Sequence, residues 1–247
     1  MRVAIHQPHF LPWIGYLDRI QKADLFILLD HVQYESQNYQ NRVLIKTGEG
    51  SQWVIVPLFQ RSQQERIIDK IINNQRQGRL SWQRKIWKTV QRAYQGAPYF
   101  KAYAGPLQEL LEARWHKLID LNLALLQFLN DAFGIRTRMV RSSELVSSGK
   151  KSDLVLSLCQ AVKADAFLGG MGGSREYLNE ARFAEAGIAV QWQDFRHPVY
   201  RQHPQPDRFV KGLSAIDLLF NWGPQSADIL TGAAASNADP IIPQPAL

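Results

Sequence analysis

Two histidines close the first apolar run of the chain, Val3-Ala4-Ile5, and stand on either side of Gln7-Pro8. Imidazoles titrate near neutral pH, so His6 and His9 can move a proton, donate to an anion or ligate a metal. Asp30-His31 closes the next apolar run, Leu25-Phe26-Ile27-Leu28-Leu29, and His197-Pro198-Val199-Tyr200 follows a third, Ile188-Ala189-Val190-Gln191-Trp192. These positions assign proton transfer to His6 and His197, and substrate contact to His9, Asp30 and Tyr200. Structural hydrogen bonding is the alternative for each histidine. A metal held by His6, His9, Asp30 and His31 is the alternative for that group, but the spacing matches no standard zinc pattern and cysteine ligands are absent, so no metal ligand is assigned. No Gly-x-Ser-x-Gly elbow occurs, and Cys159 sits alone in a helical apolar pattern. Nucleophilic serine or cysteine hydrolysis is therefore disfavoured, and no cofactor is indicated.

Two further stretches offer anion chemistry. Gly169-Gly170-Met171-Gly172-Gly173-Ser174-Arg175 lies between a predicted strand and a predicted helix. Glycines there permit close approach of backbone to a ligand, the helix start offers N–H groups to an anion, and Arg175 adds a planar donor fork. Gly172, Gly173, Ser174 and Arg175 are thus expected to hold a phosphate, the alternative being a tight turn capped by Ser174. It is neither the phosphate-loop pattern nor a dinucleotide fingerprint. The amide-rich run Gln33-Tyr34-Glu35-Ser36-Gln37-Asn38-Tyr39-Gln40 leads into Asn41-Arg42. Gln33, Asn41 and Arg42 are expected to hold an anionic part of a substrate, the alternative being a loop-stapling salt bridge of Arg42 with Asp30 or Glu35.

The elements that must position these residues follow from periodicity. The apolar runs at 2–6 and 25–29 are continuous, as in strands buried on both faces of a parallel sheet, and a helix over 13–23 joins them. In open α/β sheets ligands collect at the carboxyl ends of the strands, where the His6/His9 and Asp30/His31 pairs fall. Strands over 43–46 and 52–57 flank Thr47-Gly48-Glu49-Gly50, and a short strand is expected near 67–72. Helices are expected from Trp82 to Tyr94, from Pro106 through Leu111, and from Leu118 to Phe133 with Gly134 as its cap. The second half reads strand 136–140, helix 152–162, strand 166–168, helix 175–186 and strand 188–192. Ser214 and Asp217 read as the N-cap and first-turn acid of a final helix. The expected fold class is α/β, with a mainly parallel sheet, flanking helices, a small β insertion (31–75) leaning over the carboxyl edge, and a helical segment (80–134). Residues 1–230 are read as one domain and 231–247, rich in Ala, Pro and Asn, as a loose tail.

Composition bounds the partners. The 247 residues carry a net charge of +7, are 45% hydrophobic and include one cysteine, which excludes an internal disulfide. The apolar runs fall short of a membrane span, no secretory leader is visible, and the cytoplasm is the expected compartment. Much of the charge comes from Arg76, Arg79, Arg84, Lys85, Lys88 and Arg92, a run better explained as a solvated helix face than as a nucleic-acid surface. An anionic or phosphorylated small-molecule substrate suits that charge. Oligomeric state is not legible.

His6-Gln7-Pro8, Leu11-Pro12-Trp13-Ile14-Gly15-Tyr16, Asp30-His31-Val32-Gln33-Tyr34, Asn41-Arg42, Trp53-Val54-Ile55-Val56-Pro57, Gly170 through Leu178, His197-Pro198-Val199-Tyr200-Arg201-Gln202 and Leu213-Ser214-Ala215-Ile216-Asp217-Leu218-Leu219 run in order along the chain. Together they resemble the WbqC-like proteins over nearly all of residues 2–223. The resemblance implies a bacterial protein, often encoded near genes for surface polysaccharide and O-antigen assembly. The strand, Pro-containing loop, helix and later Ser/Arg loop are similar also to the nucleotidyltransferase layout. Phe10 and Trp13 stand where that motif has its histidines, however, and His6 and His9 lie earlier. The resulting expectation is a transferase or ligase-like enzyme acting on a nucleotide-linked sugar or activated acyl donor, or else a non-catalytic small-molecule-binding or partner protein of the same pathway.

Overall fold

The computed structural model describes residues 1–60, 62, 64–75, 78–170, 172–205 and 208–232, with the backbone alone at residue 174. The expected tail falls outside the described residues from position 233 onward. In chain order the elements are β1 (Arg2–His6), α1 (Ile14–Gln21), β2 (Leu25–Leu28), β3 (Arg42–Thr47), β4 (Gly50–Ile55), α2 (Trp82–Tyr94), α3 (Phe100–Glu112), α4 (Leu118–Ala132), β5 (Arg138–Arg141), α5 (Ser152–Ala161), β6 (Ala166–Gly169), α6 (Ser174–Tyr177), α7 (Glu180–Glu185), β7 (Ala189–Trp192), α8 (Ala215–Trp222) and α9 (Ser226–Thr231). They form two compact units. One comprises Met1–Pro8, Gly15–Val32 and Ile135–Arg196; the other comprises His9–Ile14, Gln33–Gly134 and the chain from His197 onward.

The first unit is built on a five-stranded, all-parallel sheet of order β5-β2-β1-β6-β7. The fold is α/β. β2 is apolar throughout and β1 is apolar from Val3 to Ile5, while β5 and β7, at the edges, are only partly buried. Val3, Ile5, Leu25, Ile27 and Phe167 pack with Leu154, Leu158 and Cys159 of α5, and with Phe183 of α7, as one core. Each fully buried aliphatic side chain there contributes about 1.5–3 kcal/mol relative to exposure. The burial of Cys159 pushes its thiol up to about 12, so it stays protonated packing material. The helix expected over 175–186 is interrupted: α6 is one turn, and α7 restarts at an N-cap where the Asn179 side chain accepts from Arg182 N–H. An asparagine offers the backbone such an alternative to continued helix.

The second unit contains the β3–β4 hairpin, paired from Arg42↔Ile55 to Thr47↔Gly50, together with α2, α3, α4, α8 and α9. The strand expected near 67–72 is instead a 3-10 turn, Ile67–Asp69, followed by single bridges from Ile71 to Lys117 and from Ile72 to Leu58. Ile67, Ile71 and Ile72 are all buried, so burial rather than strand pairing explains the apolar signal. The second helix begins at Phe100, and Pro106 lies inside it. Pro106 is exposed, so water can satisfy the carbonyl that its missing N–H leaves bare. Ser81 caps α2 by accepting from Arg84 N–H at 3.3 Å, and Gly134 takes the positive φ that ends α4. Phe100 and Phe220 meet edge to face at 5.1 Å, joining α3 to α8. No described helix is long and apolar enough to cross a membrane.

Candidate functional site

The sheet of the first unit changes direction between β1 and β6: β2 and β5 lie to one side, β7 to the other. Such a reversal opens a crevice beyond the carboxyl ends of the two strands, because the connections leave them on opposite sides. β1 ends at His6 and β6 at Gly169-Gly170. The pairing Ala4↔Leu168, carried two residues further, sets His6 level with Gly170. The histidine and the glycine turn singled out in the sequence therefore flank the same reversal.

His6 is half-buried, and its Nδ1 lies 2.9 Å from the Gln7 carbonyl. A carbonyl can only accept, so Nδ1 carries a proton. The Tyr16 ring meets the imidazole edge-on at 5.0 Å, and the Tyr16 hydroxyl donates to the same Gln7 carbonyl at 3.1 Å. Burial holds that phenol above its ordinary pKa, so it remains a donor.

The four glycines divide into two kinds. A Cβ on Gly169 would come within 2.6 Å of the Trp192 ring, and one on Gly170 would lie 2.8 Å from Cζ of Arg19. These two are small so that protein side chains can cross them, and neither needs a positive φ. Gly172 and Gly173 would meet nothing within 4 Å. Arg175 N–H donates to the Gly172 carbonyl at 3.3 Å, and the Arg175 guanidinium lies 5.1 Å above the Trp192 ring. Because α6 is a single turn, its dipole at the turn is correspondingly small. The Ser174 side chain lies outside the described residues.

Arg19 was not singled out in the sequence. It belongs to α1, whose residues are buried from Ile14 to Ile20, and is itself 7% exposed. Burial lowers its pKa to about 10, against the pull of Tyr16 and Asp18, so it is charged at neutral pH. The neighbouring Asp18 is committed elsewhere: it pairs with Lys22 at 2.9 Å and accepts from Gln193 at 2.6 Å. No sequence signal marked it: Ile14, Leu17 and Ile20 share one face of α1, and Asp18-Arg19 reads as its polar side.

Asp30 ends β2 in the same unit and is fully buried. Its carboxylate accepts from Arg141 Nε at 2.7 Å, Ser143 N at 2.9 Å, Ser143 Oγ at 2.9 Å and Ser142 Oγ at 3.1 Å. Burial alone would raise its pKa, but the Arg141 and Ser143 bonds outweigh that and lower it. Its oxygens are occupied in clamping β2 to β5. A shallow depression of about 470 Å³ beside α7 and β7 is lined mainly by alanine, glycine and small aliphatic residues. Its one acid, Glu180, already accepts from Trp192 Nε1 at 3.0 Å.

The remaining sequence candidates fall in the second unit. His9 is buried and stacks on Tyr39 at 5.6 Å. Gln33 is exposed and bridges to Arg66. Asn41 donates to the Val56 carbonyl at 2.8 Å and accepts from the Tyr34 hydroxyl at 3.0 Å, so its amide braces the hairpin. Arg42 forms no salt bridge with Asp30 or Glu35 among the described residues; it sits 5.7 Å from the Trp53 ring, with Nε buried and unbonded among the described residues. His197 donates from Nδ1 to the Pro198 carbonyl at 2.9 Å, while Gly212 N–H points at its Nε2 from 3.4 Å. Trp13, Tyr200 and Phe209 surround the ring, and burial lowers its pKa. The Tyr200 hydroxyl donates to Asp217 Oδ2 at 2.9 Å, as does Gln202 Nε2 at 2.9 Å. Asp217, the expected first-turn acid of α8, is 0% exposed, and burial raises its pKa to about 6. The buried Lys46 ammonium donates to the carbonyls of Gln202, Gln205 and Arg208 at 3.2, 2.9 and 2.6 Å. Among the described residues no group of three or more His, Cys, Asp or Glu side chains is arranged to hold a metal ion.

Comparison with known proteins agrees with the motif reading. The chain is 32% identical over 232 residues to a protein of Mycobacterium tuberculosis (strain ATCC 25618 / H37Rv) described as "Uncharacterized protein Rv1507c", an alignment covering 93% of this chain and 97% of the relative. No solved structure matches the chain significantly. The family model described as "WbqC-like protein family" matches residues 7–229, and the chain belongs to that family.

Proposed function

We propose that the protein is a transferase or ligase-like enzyme that uses the crevice beyond β1 and β6 to act on a nucleotide-linked sugar or activated acyl donor. The observation that supports this reading is that β1, which ends at His6, and β6, which ends at Gly169, are neighbouring parallel strands at one sheet reversal. The His6 imidazole is the group to take a proton from an acceptor hydroxyl as its oxygen attacks the donor. The displaced nucleotide or thiolate leaves with the bonding electron pair. Gly172, Gly173 and Arg175 would hold the donor's phosphate. His197 has both ring nitrogens engaged and suits a positioning role in the second unit. The pathway, bacterial surface polysaccharide assembly, is supported by the family resemblance rather than by the site.

A second reading is a non-catalytic binding or partner protein. It is favoured by the exposed Tyr39, Trp53 and Ile55 of the second unit, where Tyr39 and Trp53 meet at 5.6 Å beside Arg42. Exposed aromatic patches of this sort serve recognition. One experiment separates the two. Nucleotides, nucleotide sugars and acyl-coenzyme A thioesters are screened by thermal shift, and each stabilising donor is assayed for acceptor-dependent consumption. Turnover that falls at least about 100-fold in His6→Gln, with the acid limb of the pH profile removed, supports the enzyme. Stabilisation without turnover in any donor–acceptor pair, unchanged in His6→Gln, refutes it.

A further inference from the structure

A guanidinium withdrawn from water needs acceptors, because burying an unpaired charge is costly. Surface arginines need no such account, but Arg19 is 7% exposed. Its Nε is buried with no hydrogen-bond partner among the described residues. Asp18, next in sequence, gives its two oxygens to Lys22 and Gln193 instead. The cluster thus holds two cations, Arg19 and Lys22, against one carboxylate. One positive charge is left over, and it is the more buried one.

The position of that charge follows from the helix. Side chains on a helix lean toward its N-terminus, and α1 begins just beyond the carboxyl end of β1. Arg19 therefore reaches back toward the sheet reversal, where its guanidinium crosses Gly170 so closely that a Cβ there would displace it. Gly170 makes the seat, and Gly172 and Gly173 beyond it face open space.

We propose that Arg19 is a built-in receptor for the phosphate of a phosphate-bearing small molecule, whose oxygens supply the acceptor that Nε lacks among the described residues. A guanidinium presents parallel N–H donors that match two phosphate oxygens, and lysine would offer only a point charge. This rests on the reading of the β1/β6 crevice as the substrate site, and it makes Arg19 rather than Arg175 the principal anchor. Arg175 is exposed and already stacked on Trp192, so water screens it.

The test uses inorganic pyrophosphate as the probe, with calorimetric titration of the full chain. The wild type should bind it saturably, and Arg19→Met, which keeps length and removes the charge, should weaken binding by about tenfold or more. Gly170→Ala is the second variant: it keeps the charge but pushes the guanidinium off its seat, and should weaken binding comparably. This variant keeps the test decisive if Arg19→Met fails to fold. Pyrophosphate binding is read without turnover, which separates failure of the anion site from failure of the proton-transfer role. Malonate is the second anion, with carboxylates in place of phosphate. Unchanged affinity in folded Arg19→Met or Gly170→Ala overturns the proposal, as does absence of saturable pyrophosphate binding to the wild type. Arg19-dependent binding of malonate that matches or exceeds pyrophosphate overturns the choice of phosphate.

Discussion

Replacing Asp217 by asparagine should change the pH dependence of stability more than stability itself. The carboxyl group is fully buried, accepts from Tyr200 and Gln202 through Oδ2, and leaves Oδ1 without a hydrogen bond among the described residues. Burial raises its pKa from 3.8 to about 6, although Tyr200, Tyr94, Lys46 and Gln202 pull it back. The folded value lies above the unfolded one, so the folded state binds the proton more tightly. The stabilisation this gives is complete below the unfolded value, near pH 4, and is lost as pH rises through 6. A displacement of roughly two units corresponds to about 3 kcal/mol, the most that ionising this group can cost between pH 4 and pH 7. Asp217→Asn removes the ionisation and can keep both donors on its amide oxygen. Urea unfolding of both proteins at half-unit steps from pH 4 to 7.5 measures the difference. The variant should gain on the wild type by up to about 3 kcal/mol across that range, with the midpoint of the gain near pH 5, halfway between the unfolded value of 3.8 and the folded value of about 6. A stability difference that is flat with pH would refute the reasoning, and would mean that Lys46 and the hydroxyls keep the buried carboxylate ionised at no cost.

The opposite sign is expected at Asp30. Its folded pKa is lowered, so its contribution is present above the unfolded value and lost as pH falls through the folded one. Asp30→Ala should cost about 3–5 kcal/mol at pH 7, because Arg141 and two serines lose their acceptor. It should also weaken the acid dependence of unfolding, and urea titrations at pH 7 and pH 3.5 check both points. The glycine turn makes a paired prediction. Gly169→Ala should displace Trp192, alter its fluorescence and cost about 1–3 kcal/mol, whereas Gly172→Ala should leave melting temperature and fluorescence unchanged. Equal destabilisation by the two substitutions would contradict the distinction between a packing glycine and an open one.

The sequence by itself determined the period of the elements, and hence the α/β class. Short continuous apolar runs bounded by turn residues suit strands buried on two faces, so β1, β2 and β6 were legible, as was the hairpin around Gly48. The family was legible in its ordered motifs as well. Local pattern failed where a long-range contact made the decision. The 67–72 segment is apolar because it is buried, and pairing is not local information. Pro106 sits mid-helix because that face of α3 meets water.

For the site, the sequence placed His6 and the glycine turn at strand ends, but strand order is a property of the assembled sheet. Only the order β5-β2-β1-β6-β7 put those two ends side by side. The same step decides what several polar residues touch: Asn41 braces a hairpin, Asp30 clamps two strands, and Asp217 lies at the centre of a buried network. Conversely it exposed Arg19, which reads in sequence as one more charge on a short helix. Residue type and spacing record which groups could meet a ligand. Whether a polar atom has spent its hydrogen bonds on the protein depends on partners up to a hundred or more residues away, and folding alone brings those together.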